Sequence, residues 1–205
     1  MYAYIKGEIV HKAPEYLILE NNGIGYKVMS SSGLMSSFPA IGETAKAYTY
    51  YYVREDQISL YGFPTQEELS MFELLLTVSG IGPKVACNIT GSLNPGQFAV
   101  AVVSGDTRAL TSVKGIGKKG AERMILELKD KLKGRDLAGD DTNAGGVDVF
   151  TSEASGSVTM EAVSALMVLG YSSNEAMSAI RVVNNNDISL EDLIRLSLKQ
   201  LVKQI

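Results

Sequence analysis

Apolar and polar positions alternate along the first third of the chain. Residues 2–12, 15–20, 25–30, 45–54 and 57–62 are runs rich in β-branched and aromatic side chains. They are divided by Pro14, by Asn21-Asn22-Gly23 and by a Ser/Gly/Pro-rich stretch over 30–42. A period of two in five short segments, with no long helix between them, predicts a five-stranded barrel of OB type. A five-stranded sandwich is the competing arrangement.

The period changes to 3.6 at Phe63-Pro64-Thr65. Thr65 with Glu68 has capping-box spacing, and Leu69, Phe72, Leu75 and Leu76 then recur on one helical face. Pro83 fits a first helical turn, Asn94-Pro95 reads as N-cap and first position, and Asp106 caps a short helix. The longest helix is expected from Lys118 to Leu132, with Met124, Ile125, Leu128 and Leu132 on its apolar face. After it, Gly, Ser, Thr and Asp dominate without any period, which predicts a flexible linker rather than an ordered surface loop. Three short helices follow. Gly170 ends the first, Ser172 with Glu175 opens the second, and Ser189 with Asp192 opens the third, which runs to about residue 203. Val163, Leu166, Met167, Ile180, Val183, Leu193, Leu196 and Leu201 can form one miniature core.

The predicted class is therefore α+β and multidomain. A barrel spans 1–63, an all-α domain 64–134, a linker 135–157 and a three-helix bundle 158–205.

Net charge is −4, which taken alone argues against a polyanionic partner. The sum hides a segmentation. Residues 1–63 hold 5 basic and 6 acidic groups, residues 64–134 hold 9 and 7, and residues 135–205 hold 5 and 10. Phosphate binding depends on the field within a Debye length, so the basic middle third is what matters. The N-terminus lacks the apolar stretch of a signal peptide, and no run approaches the roughly 20 apolar residues of a membrane helix. A cytoplasmic protein with no membrane partner is the expectation. A single cysteine, Cys87, excludes an intramolecular disulfide and a multi-cysteine zinc site. With one histidine, His11, most metal and triad chemistries go as well. Both read as ordinary structural residues, and no cofactor is expected.

The middle segment repeats itself. Val78-Ser79-Gly80-Ile81-Gly82-Pro83-Lys84-Val85-Ala86 matches Val113-Lys114-Gly115-Ile116-Gly117-Lys118-Lys119-Gly120-Ala121 at an offset of 35 residues. Helix, Gly-Ile-Gly turn and lysine-bearing helix start together make a helix-hairpin-helix pattern. A turn of glycines lets backbone amides approach a phosphate with no Cβ in the way. The next helix adds free N–H groups and the positive end of its dipole. The hairpin isoleucine can pack inward and lock the turn. Lys84, Lys119 and Arg123 supply charge. Two such sites one repeat apart can hold successive phosphates without reading sequence. The candidate DNA-binding residues are Ser79, Gly80, Ile81, Gly82, Lys84, Gly115, Ile116, Gly117, Lys118, Lys119 and Arg123.

Three plainer readings compete. A Gly-x-Gly turn between helices can be purely structural, but the duplication with lysine retained argues otherwise. Gly115, Gly117 and Gly120 satisfy a dinucleotide fingerprint in spacing only, because a helix and not a strand precedes them. A P-loop fails at Ser112 and Lys119, where glycine and Ser or Thr belong.

Val53-Arg54-Glu55-Asp56, Leu60-Tyr61-Gly62-Phe63, both hairpins and Ala121-Glu122-Arg123 resemble the RuvA family, which binds four-way (Holliday) DNA junctions. The likeness spans nearly the whole chain. It implies a homotetramer, one or two per junction, whose basic face matches four DNA arms. It implies that Glu55 and Asp56 form an acidic pin, at a turn between the last two strands, that favours an open, square junction. It implies that the last domain recruits the RuvB ATPase motor for branch migration in recombination and repair, with the junction resolvase as a further partner. The chain itself would be non-catalytic. Without the resemblance, Glu55-Asp56 is only a polar turn. Two departures from the family pattern stand out: Ser79 where asparagine is usual, and Gly120 where threonine is common. A generic helix-hairpin-helix subunit of a repair nuclease is the alternative. A nuclease using Glu55 and Asp56 as metal ligands lacks further acidic partners.

Overall fold

The computed structural model describes residues 2–137, 158–183 and 188–202. Strands β1 (Tyr4–Ala13), β2 (Tyr16–Asn21), β3 (Ile24–Met29), β4 (Thr44–Val53) and β5 (Ile58–Phe63) close in the order β1-β2-β3-β5-β4. Closure rules out the sandwich. The β3–β5 pairing, at Met29 and Tyr61, is parallel; the others are antiparallel. The alternation seen in the sequence sends Ile5, Ile9, Leu17, Leu19, Val28, Ala45 and Ala47 inward. A bulge between Ile9 and His11 breaks the register of β1 and leaves Val10 on the surface.

The stretch over 30–42 is more than a turn. It contains α1 (Ser32–Met35), which the Ser/Gly/Pro composition concealed. Met35 packs into the barrel core, while Leu34 joins the helical core. Gly33 lies so close to the backbone of Gly91 that a Cβ would collide. Lys12 Nζ donates to the carbonyls of Phe38 and Pro39, at 2.8 and 3.0 Å, and ties down the rest of the stretch. The barrel is thereby bolted to the helices.

Those helices are α2 (Gln66–Leu76), α3 (Pro83–Ser92), α4 (Pro95–Ser104), α5 (Thr107–Thr111) and α6 (Lys118–Leu137). Thr65 and Glu68 form the expected reciprocal cap, as do Asn94 and Gln97. The Asp106 carboxylate accepts from the amides of Arg108 and Ala109. At the barrel boundary Phe72 is fully buried, with ring centres of Phe63, Tyr50 and Tyr61 at 4.8, 5.3 and 5.4 Å.

Two expectations need correction. First, α6 continues to Leu137, past the expected end at Leu132 and into the first residues assigned to the linker. Lys, Glu, Asp and Arg are good to tolerable helix residues, so polarity alone does not stop a helix. The remainder of the linker, 138–157, lies outside the described residues. Second, α7 (Val158–Val168), α8 (Ser173–Val183) and α9 (Leu190–Val202) pack on one another, but their core is continuous with that of the preceding helices. Leu166, Ile180, Leu193 and Leu201 belong to the same buried cluster as Phe98, Val102 and Met124. A bundle this small covers its apolar face more fully by sharing it with α4 and α6.

Candidate nucleic-acid interface

The two Gly-Ile-Gly turns fold alike. Val78 and Val113 are buried and anchor them. Gly80 and Gly115 adopt φ of +82° and +100°, a region that side chains disfavour. Ile81 N–H donates to the Val78 carbonyl at 3.1 Å, and Ile116 N–H donates to the Val113 carbonyl at 3.2 Å. The next helix then starts at the second glycine: Ala86 and Ala121 amides donate to Gly82 and Gly117 at 2.9 and 3.0 Å. Ile116 is buried and Ile81 half-buried, each facing the core. Gly80, Gly82, Gly115, Gly117, Lys84, Lys118, Lys119, Arg123 and Ser79 are exposed.

This leaves an open face at both turns. A Cβ at Gly82 or Gly117 would meet nothing within 4 Å. No side chain caps α3, so its first-turn N–H groups are available to an outside oxygen.

The turns are also joined. Gly115 rests near Val85, which would lie 3.7 Å from a Cβ there. From α6, Arg123 reaches back to the first turn, its Nη1 lying 3.4 Å from the Cβ position of Gly80. One turn further along, the Glu127 carboxylate accepts from Ser79 N–H at 3.0 Å. Arg123, which the spacing assigned to the second motif, therefore serves both. Glu127 was not foreseen, although its place four residues after Arg123 puts it on the same helical face. Ser79 contributes its amide to this internal bond. Gly120 has room for a methyl, with the nearest neighbour, Ile116 Cγ2, at 3.8 Å.

The sequence also gave no hint of Glu15. It lies in the turn between β1 and β2, and Lys84 Nζ sits 3.5 Å from its carboxylate. Both side chains are more than half exposed, at 75% and 63%, so the pair is weak and exchangeable.

Glu55 and Asp56 stand exposed between β4 and β5, in a turn closed by Arg54 N–H donating to Gln57 O at 2.8 Å. Arg54 folds back, its Nε donating to the Tyr52 hydroxyl at 2.8 Å and its guanidinium 5.4 Å from that ring. The two carboxylates thus project from the turn while the neighbouring cation is held over Tyr52.

His11 stacks on Tyr16 with ring centres 5.5 Å apart. Burial pushes the Cys87 thiol up to about 12, the reverse of an activated nucleophile. Among the described residues, no three His, Cys, Asp or Glu side chains are grouped as metal ligands would be. No helix among them is long and apolar enough to cross a membrane.

Comparison with known proteins covers the same ground. Residues 1–62 match the model described as the RuvA N terminal domain, 72–130 a SAM-like helix-hairpin-helix tandem, and 157–202 the RuvA C-terminal domain. The chain is 47% identical over 203 residues to a protein of Acetivibrio thermocellus named Holliday junction branch migration complex subunit RuvA, covering 99% of this chain and 100% of that one. The protein of the same name from Ruminiclostridium cellulolyticum is 48% identical over 202 residues, covering 98% and 100%. One from Clostridium botulinum is 43% identical over 203 residues, covering 99% and 100%. With its barrel, paired hairpins and C-terminal helices all matched along their length, the chain belongs to the RuvA family.

Proposed function

We propose that this protein is a non-catalytic cytoplasmic subunit that binds four-way DNA junctions by shape and recruits a RuvB-type ATPase for branch migration. The observation that carries this reading is the pair of glycine turns, alike in backbone hydrogen bonding within the turn and joined through α6. They offer backbone amides and lysines to phosphates, and contacts of that kind position the backbone without reading sequence. Junction preference is supported by the exposed Glu55 and Asp56 at a barrel tip, which repel phosphates near the centre of an assembly and keep a junction open. Assembly into a homotetramer is supported by exposed Tyr2, Tyr4, Tyr51, Val53 and Ile58 on the barrel. The acidic C-terminal third is suited to a protein partner rather than to DNA, and the names of the relatives agree with a motor complex.

The test is competition between a labelled four-way junction and unlabelled linear duplex. Duplex should displace the junction only at roughly hundredfold or greater excess, a preference of about 3 kcal/mol. Equal competition would refute the junction assignment and leave a generic helix-hairpin-helix DNA-binding subunit.

A further inference from the structure

A cleft of about 290 Å³ separates the barrel from the first hairpin helix, lined by Glu15, Ser31, Ser32, Lys84, Asn88 and Lys114 among others. We propose that this cleft is an additional subsite for a backbone phosphate of the gripped duplex, and that Glu15 competes with that phosphate for Lys84. The proposal deepens the phosphate-gripping function above and rests on it.

The chemistry of the lining favours an oxyanion. Two ammonium groups, an amide and serine hydroxyls can all donate hydrogen bonds, and Glu15 is the one carboxylate facing them. Glu15 pairs with Lys84. Among the described residues Lys114 makes no ion pair, so the cleft carries a surplus positive charge.

The fold explains why these residues meet. α1 packs on α3 through Gly33 and Gly91, which brings Ser31 and Ser32 to the cleft. The second turn rests on Val85 through Gly115, which brings Lys114 beside the start of α3. Because Lys84 and Lys114 belong to the two hairpins, a strand lying across the turns passes the mouth of the cleft. That continuity favours a DNA phosphate over a free anion.

The experiment measures junction affinity by fluorescence anisotropy across a series of KCl concentrations. The proteins are the full chain and its Lys114→Ala, Glu15→Gln, Lys84→Ala, Glu15→Gln/Lys84→Ala and Lys119→Ala variants. Glu15, Lys84 and Lys114 are exposed, and thermal melts check that the variants fold. Lys114→Ala should weaken binding severalfold and lower the slope of log K against log salt by about 0.9, one phosphate's worth. Glu15→Gln should tighten binding severalfold at low salt, and this gain should disappear when Lys84 is alanine. An unchanged slope for Lys114→Ala, alongside a reduced slope for Lys119→Ala, would overturn the subsite and leave the hairpin grip intact. An equal gain from Glu15→Gln with or without Lys84 would overturn the competition. If Lys114→Ala altered only the binding of inorganic phosphate, the cleft would be a free-anion site and the proposal would fall. Loss of slope in neither Lys114→Ala nor Lys119→Ala would refute the hairpin grip itself.

Discussion

The two hairpins share a sequence and a turn geometry but not a setting. The first is enclosed: its Ser79 amide is held by Glu127, its Gly80 lies beside Arg123, and its Lys84 is paired with Glu15 of the barrel. The second is less engaged. Its buried Ile116 locks it to the core and Lys118 pairs at 3.9 Å with Glu122 of its own helix, while Lys119 makes no ion pair among the described residues. The difference teaches that duplicated motifs need not contribute equally. A lysine already paired must exchange one anion for another, whereas an unpaired one gains the whole new interaction.

The turn geometry common to both is the first thing to break. Gly115→Val places a β-branched residue at φ +100°. That should cost about 1–3 kcal/mol of local strain and distort the amides. Junction affinity should fall roughly tenfold or more, while circular dichroism retains the barrel and most helices. Normal binding by this variant would mean that the second turn is not part of the interface.

A comparison of lysines sharpens the contrast. Lys119→Ala should cost more affinity than Lys84→Ala. The loss for Lys119 should be about 1.5–3 kcal/mol, the range for a charge-assisted hydrogen bond. The difference between the two should shrink in a Glu15→Gln background, where Lys84 no longer has a competing carboxylate. Titrations of the four variants measure it, and equal losses in the unmodified background would remove the asymmetry.

The smallest effect concerns the far end of the molecule. Glu175 is held below the ordinary carboxylate range by the Ser172 hydroxyl and N–H, and Asp192 by Arg195 and the Ser189 hydroxyl. A depressed folded pKa stabilises above the unfolded value, about 4, and that stabilisation is lost as pH falls through the lower folded value. Ser172→Ala should therefore destabilise α8 at pH 6, with the difference from the unmodified protein narrowing toward pH 2. Denaturant titrations at the two pH values check the trend. A gap that widens on acidification would contradict it.

Much of this is legible in the sequence. Strands follow from alternation because one face of each is buried, and the caps at Thr65, Asn94, Asp106 and Ser172 follow from hydrogen bonds within a few residues. The hairpins are readable because their glycines and lysines are local and repeated. What escaped was non-local. Nothing near Glu15 or Glu127 in the chain announces Lys84 or Ser79, since those partners meet only through packing. Helix α1 hid because four residues give too little period to detect. The shared core of α4 with α7 and α9 hid because amphipathic faces show that they are apolar, but not against what they pack.

The direct test of the hairpin grip is the salt dependence of junction binding for the unmodified protein and for Lys84→Ala/Lys119→Ala/Arg123→Ala. Three lost phosphate contacts should flatten the slope of log K against log salt by roughly 3. An unchanged slope, with the variant still folded, would show that these turns do not hold the backbone.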